Sequence, residues 1–233
     1  MSNGKITIGY DKNPMSIFFT FKGKHIIGDK LVHEVDRNQQ LISRFTDSVT
    51  AKPKLYPSLT DFENTIQYKS QRYICVAPAS VWFTKQYPED KWVELIDALP
   101  DTYKIYLLGS PQDKDLCKSI ADKTNRENVT DLSGKLSLLE SAALIKDAEM
   151  NYVNDSAPMH IASAMNASVC AVYCSTVPEF GFGPLSDRSF IVETQTLLTC
   201  RPCGLHGYKS CPEGHFKCAF DITLLQLLKV IPK

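Results

Sequence analysis

The chain has 233 residues, a formal net charge of +0 and a pI of about 6.9; 43% of its residues are hydrophobic and 22% are charged. This neutral balance argues against a nucleic-acid partner recognised through a broad basic surface. No apolar run reaches the roughly 18–20 residues that a membrane-spanning helix needs. The first five residues lack the charged-then-apolar pattern of a signal peptide. We therefore expect a cytoplasmic protein.

The first 60 residues differ in pattern from the rest of the chain. Residues 5–10 indicate a strand, apolar spacing indicates a helix over residues 31–45, and the prolines within residues 47–61 favour a linker. So few elements cannot bury a core of their own. Residues 1–60 are therefore predicted to be the end of another domain with its linker, and residues 61–233 the main domain.

From residue 73 onward, short apolar runs alternate with stretches of helical period. The predicted strands are residues 73–77, 104–108, 129–132, 148–153 and 168–173, and the predicted helices are residues 89–99, 113–124, 137–147, 158–165 and 222–230. Strands separated by helices of this length favour right-handed crossovers. The expected fold is an α/β, Rossmann-like parallel sheet with helices on both faces, whose ligands bind beyond the carboxyl ends of the strands.

The most informative corner follows the predicted strand 148–153. Asp155 and Ser156 stand where a helix begins, and Pro158 suits a first turn because its missing N–H has no helical partner there. Such a corner attracts anions, and His160 lies one turn further along the same helix face. We therefore expect a site for a phosphate-bearing ligand.

The two common nucleotide-binding glycine motifs are missing. The sequence contains neither G-x-G-x-x-G nor G-x-x-x-x-G-K-[ST], which argues against the usual nicotinamide-dinucleotide fold and against P-loop NTPases. Instead the loop after the first predicted strand carries Ala79, Ser80 and Lys85 ahead of a helix. Lys85 can neutralise phosphate as a point cation, although a solvated surface lysine has the same signature.

Together these motifs resemble a known family. Pro-Ala-Ser, Thr-Lys-x-Tyr-Pro-x-x-x-Trp, Leu-Leu-Gly, Leu-Ser-Gly-Lys-x-Ser-Leu-Leu-Glu and Asn-Asp-Ser-x-Pro-Met-His follow one another in this order. The pattern is similar to the nucleotide-sugar-binding domain of the ADP-heptose:lipopolysaccharide heptosyltransferases, glycosyltransferase family nine. The resemblance covers the chain from about residue 73 onward, and residues 33–38 look like the end of the same family's N-terminal acceptor domain.

The resemblance implies the C-terminal half of a GT-B fold and an inverting transferase that needs no metal cofactor. Its donor would be ADP-heptose or a related nucleotide sugar, and its acceptor, in a full-length form, the lipid A-core. It also implies action at the inner face of the inner membrane, with peripheral association.

The resemblance also implies roles for nine residues in binding the donor. Ser80 and Lys85 would hold the diphosphate, with Ala79 beside them. Asp131 and Leu132 would lie near the adenosine. The phosphates and the donor sugar would be bound by the following residues: Asp155, Ser156, Ala157 and His160.

Two departures from the family pattern matter. Family members often carry glycine where this chain has Ala157, and the family's catalytic aspartate lies in a part of the N-terminal domain that precedes this sequence. The catalytic residue is therefore unknown here, and the chain is expected to be incomplete, binding the nucleotide sugar but transferring it poorly or not at all. The alternatives are a non-catalytic nucleotide-sugar-binding module and a metal-binding interaction module.

The eight cysteines form two groups. Four occur singly in apolar or helical contexts, which is typical of buried thiols in a reducing compartment: Cys75, Cys117, Cys170 and Cys174. The other four are closely spaced: Cys200, Cys203, Cys211 and Cys218. The spacing of this second group is compatible with three interpretations: a structural zinc site, one or two disulfides, or free thiols in an ordered loop.

Overall fold

The computed structural model describes residues 4–28, 32–47 and 49–231, which form two compact units. Unit 1 comprises Met1–Pro53 and Pro178–Gly183, and unit 2 comprises Lys54–Val177 and Pro184–Lys233. The division therefore falls seven residues before the expected one, and a short later segment joins unit 1. None of the helices in the described ranges has both the length and the apolar character to cross a bilayer.

Unit 1 is built on two short parallel strands and one helix. Strands β1 (Ile8–Tyr10) and β2 (Phe21–Gly23) pair with Ile8 opposite Phe21, and a 3₁₀ helix, Pro14–Phe18, lies between them in sequence. Helix α1 (Glu34–Ile42) is shorter than the predicted 31–45, and Leu31 lies outside the described residues.

The buried Arg37 of α1 explains why a later segment belongs to unit 1. Its guanidinium donates to Glu34 Oε2 at 2.7 Å, to the Val32 carbonyl at 2.7 Å and to the Phe180 carbonyl at 2.6 Å. Burial raises the pKa of the Glu34 carboxyl, but hydrogen bonds from Arg37 and His25 outweigh that effect, so the pKa is lowered.

Unit 2 begins earlier than the predicted linker allows. Helix α2 (Leu59–Thr65) occupies part of the region predicted as linker, because Ser58 accepts from the Asp61 backbone N–H while the Asp61 carboxylate accepts from the Ser58 N–H. The prolines end just before this capping box, so the linker interpretation was wrong for residues 58–61.

Unit 2 contains a six-stranded, fully parallel sheet. Its strands are β3 (Tyr73–Ala77), β4 (Lys104–Leu107), β5 (Val129–Asp131), β6 (Met150–Asn154), β7 (Val169–Tyr173) and β8 (Ser189–Glu193). They lie in the order β5-β4-β3-β6-β7-β8. The first five match predicted strands, whereas β8 was missed. The order reverses direction between β3 and β6, which is where parallel sheets form ligand crevices.

Helices cover both faces of this sheet, as predicted. Along β3, Ile74 and Val76 point into one core while Tyr73, Cys75 and Ala77 point into the other. The first core packs against the helices α3 (Glu89–Ala98), α4 (Lys114–Lys123), α7 (Lys217–Phe220) and α8 (Leu224–Leu228). The second packs against α5 (Leu138–Lys146) and α6 (Ala157–Ala164). The predicted final helix, 222–230, is shorter than expected.

Candidate functional site

A cavity of about 670 Å³ lies at the carboxyl ends of the strands, at the point where the strand order reverses. Its lining residues come from the end of β3, from the loops after β3 and β4, from α5 and the segment before it, and from the first half of α6 with the residue before it. Most of the wall is apolar, with Leu108, Leu136 and Ile161 among the contributors. A concave, largely apolar cavity of this size suits a small organic ligand.

Four of the nine predicted binding residues line this cavity: Ala79, Ser80, Ser156 and Ala157. The two pairs approach from opposite sides of the reversal, the first pair after β3 and the second at the start of α6. Lys85 and Asp155 are not among the lining residues, but they form an ion pair with each other. Asp155 directly precedes the lining residue Ser156, and Lys85 follows the lining residue Val81 by four residues.

The Lys85 ammonium lies 2.7 Å from Asp155 Oδ2, so the lysine and the corner 70 residues later converge as expected. Both side chains are largely buried, with side-chain exposures of 16% and 9%. Thr176, which follows β7, donates from Oγ1 to the same Asp155 oxygen at 2.6 Å. The carboxylate is thus fixed from two directions, and it in turn holds the ammonium beside Asp155, the residue that directly precedes the cavity-lining Ser156.

Asn154, the last residue of β6, ties the two sides of the site together. Its Oδ1 accepts from the Tyr87 backbone N–H at 2.9 Å, and its Nδ2 donates to the Pro78 carbonyl at 2.7 Å and to the Ala79 carbonyl at 3.4 Å. These contacts bracket the loop that carries Ser80 and Lys85. Asn154 belongs to the sequence motif, but its role could not be predicted from the motif, because its partners are backbone groups of a loop that is distant in sequence.

Ser156 occupies the N-cap position of α6. The sequence predicts that its side chain caps the helix, but in the structure it makes no capping hydrogen bond. Its hydroxyl instead donates to the Asn154 carbonyl at 3.3 Å, and Asp155 is engaged by Lys85 and Thr176. The N-terminus of α6 therefore carries no side-chain cap and faces the cavity through Ala157 and Pro158. This is the arrangement that favours an anionic group near the helix start.

The other predicted residues lie outside the cavity wall. Leu132 is buried in the core, and Asp131 Oδ1 accepts from the Ser133 backbone N–H at 2.8 Å, which orders the turn after β5. The same turn packs closely against Pro111, one of the residues that line the cavity. Gly134 permits this contact, because it has a φ of +65° and an added Cβ would stand only 2.9 Å from Pro111 Cα. His160 lies on the exposed side of α6.

The cysteines also fall into two groups in the structure. Cys75, Cys117, Cys170 and Cys174 are buried, as predicted, and burial raises the pKa of the Cys117 thiol to about 12. The later group, Cys200, Cys203, Cys211 and Cys218, carries free thiols. Across the ranges that the structure describes, no three or more His, Cys, Asp or Glu side chains are grouped so that they could hold a metal ion.

Comparison with known proteins places the chain in a family. The family model for glycosyltransferase family 9 (heptosyltransferase) matches residues 1–206. Lipooligosaccharide heptosyltransferase 2 of Haemophilus influenzae is 33% identical over 112 residues, which is 46% of this chain and 32% of the relative. Lipopolysaccharide heptosyltransferase 2 of Escherichia coli K12 is 29% identical over 151 residues, or 62% of this chain and 41% of the relative. The chain thus spans between about a third and two fifths of their length.

Solved structures show the same fold. A family 9 glycosyl transferase from Veillonella parvula superposes with a TM-score of 0.81 over 97% of this chain and 66% of that one, at 19% identity. The ADP-heptose lps heptosyltransferase II of E. coli gives a TM-score of 0.69 over 85% of this chain and 60% of that one, at 24% identity. These matches confirm the predicted Rossmann-like fold, and with the family model they show that the chain belongs to glycosyltransferase family 9, the heptosyltransferases.

Proposed function

We propose that this chain binds a nucleotide sugar of the ADP-heptose kind. The nucleoside would occupy the apolar cavity, and the diphosphate would lie at its rim beside Lys85 and the first turn of α6. The observation that carries the proposal is the ion pair between a largely buried lysine and Asp155, the residue that directly precedes the uncapped start of α6 in the wall of a cavity of about 670 Å³. An ammonium has three donors, so Lys85 can contact phosphate oxygens while it remains bound to Asp155.

The same arrangement suits glycosyl transfer. When the bond between the sugar's anomeric carbon and the diphosphate breaks, the bonding electrons go to the leaving nucleoside diphosphate, whose negative charge increases. A fixed ammonium and a helix N-terminus stabilise that charge without reorganising. This route needs no metal cofactor, because Lys85 and the helix supply the positive potential.

The acceptor side is proposed from the family. An inverting transfer to the lipopolysaccharide core, at the inner face of the inner membrane, is the reaction we infer. We assign no catalytic base among the described residues, so the part of the proposal that this structure supports is donor binding.

Calorimetric titration with ADP and with adenosine tests the proposal. We expect the wild-type chain to bind ADP more tightly than adenosine, and Lys85→Met to weaken ADP binding by roughly 10- to 100-fold, because one charge-assisted contact is lost. Adenosine binding should change little, because it uses the cavity alone.

Lys91→Met is the matched control. Lys91 is also a partly buried lysine, but its ammonium pairs with Glu94 on the surface of α3, at 3.2 Å. It should leave both affinities unchanged. The proposal fails if the folded wild-type chain does not bind ADP at millimolar concentration, or if both lysine variants bind ADP equally well.

A further inference from the structure

The cysteine-containing loop packs directly onto the lysine of the proposed site. Thr84, the neighbour of Lys85, donates its backbone N–H to the Tyr208 carbonyl at 3.1 Å. Its hydroxyl accepts from the Tyr208 backbone N–H at 2.7 Å and from Ser175 Oγ at 3.0 Å. Thr84 is only 1% exposed, so these bonds are shielded from water and define its position.

Gly207 allows this approach. Its φ is +80°, and a Cβ built there would stand 2.8 Å from Thr84 Oγ1, 3.1 Å from Lys85 Cγ and 3.3 Å from Ser175 Oγ. A side chain at residue 207 would therefore push on the threonine and on the stem of the lysine at once. The glycine is needed for close contact as well as for its backbone conformation.

The same loop also holds the other partner of the ion pair. Arg201 donates from Nε to the Cys174 carbonyl at 2.8 Å and from an Nη to the Thr176 carbonyl at 2.8 Å. Glu193 binds this guanidinium at 2.6 Å. Because Thr176 donates to Asp155, the loop supports the carboxylate side of the pair through Arg201 and lies close to the stem of Lys85 at Gly207.

We propose that residues 200–208 are a positioning element for the Lys85–Asp155 pair, and that Gly207 is the residue on which diphosphate recognition depends. The inference rests on the proposed function, because it concerns the same nucleotide site. Neither residue 207 nor the loop contacts the cavity wall; they act on the ligand through Thr84 and Lys85.

Two glycine variants test this proposal. Gly207→Ala combines a strained backbone with the contacts above, whereas Gly214→Ala, in the same region, has a similar φ of +70° with no atom within 4 Å of its added Cβ. We expect Gly207→Ala to weaken ADP binding by about tenfold or more relative to Gly214→Ala, the factor that corresponds to one lost charge-assisted hydrogen bond. The adenosine affinity should be the same in both variants.

Variants of the Thr84 hydroxyl test the same proposal if Gly207→Ala does not fold. Thr84→Val removes the acceptor that Tyr208 and Ser175 use, whereas Thr84→Ser keeps it. We expect Thr84→Val to lose ADP affinity selectively over adenosine, and Thr84→Ser to restore it. A purely structural role would lower both affinities together.

The outcomes separate the two proposals. If the wild type shows no preference for ADP over adenosine, the proposed function fails. If the wild type prefers ADP but Gly207→Ala matches Gly214→Ala and Thr84→Val matches Thr84→Ser, only the positioning role of the loop is overturned.

Discussion

Replacing Asn154 with alanine should be the most damaging single change near the site. Asn154 is fully buried, and its amide satisfies the Tyr87 N–H at 2.9 Å and the Pro78 carbonyl at 2.7 Å. Each buried group left without a partner costs about 1–3 kcal/mol. Two such groups give roughly 2–6 kcal/mol, and because water can enter the space vacated by the amide, we expect the lower half of that range, about 2–4 kcal/mol.

Tryptophan fluorescence is a suitable assay because both tryptophans of the chain, Trp82 and Trp92, lie in unit 2. Urea unfolding of Asn154→Ala should show the loss directly, and thermal unfolding should shift by roughly 4–16 °C, given about 2–4 °C per kcal/mol for a domain of this size.

Asn64→Ala is the control. The Asn64 side chain is exposed on α2, where it donates to Glu140 at 2.7 Å, so its loss should cost less than about 0.5 kcal/mol. A difference below 1 kcal/mol between the two variants would refute the reasoning, because it would mean that the Tyr87 and Pro78 groups do not depend on the amide.

Two further predictions concern other parts of the chain. Brief alkylation of the folded protein at pH 8, read by peptide mass spectrometry, should label the partly exposed Cys200 and Cys211 well before Cys218, whose pKa burial raises to about 12; equal labelling would contradict the structure. Because Glu34 has a pKa below its ordinary value of 4.5, its stabilising effect is present above about pH 4.5 and is lost as the pH falls through the lowered pKa. Amide exchange in α1 should therefore be faster in Glu34→Gln than in wild type at pH 7, with a smaller difference at pH 4; a difference independent of pH would contradict this account.

Much of the fold could be predicted because the central strands are continuous apolar runs. β3, β6 and β7 are buried at every residue, and such runs between helical periods identify a parallel sheet. The edge strand β8 was missed because its apolar run is only three residues long, Phe190 to Val192, and only Val192 is buried. Pairing with the neighbouring β7, rather than a long apolar run, specifies this strand.

The site could be predicted in part for a similar reason. Lys85 and Asp155 belong to motifs, and the carboxyl ends of parallel strands share one edge, so their convergence follows from the sheet. The hydrogen bond from Thr176 to Asp155 forms because β6 and β7 are adjacent in the sheet. The sequence alone does not indicate which strands are adjacent. The apolar wall brings together Leu108, which follows β4, and Ile161 of α6, so only the strand order reveals it.

The diphosphate of a bound nucleotide is expected to lie against Lys85. A crystal structure of this chain with ADP tests it most directly. We expect the adenine in the cavity between the loops after β3 and β4, and a phosphate oxygen within hydrogen-bond distance, about 2.7–3.2 Å, of Lys85 Nζ. ADP bound in the crystal with its phosphates remote from Lys85 and from the start of α6 would contradict the claim.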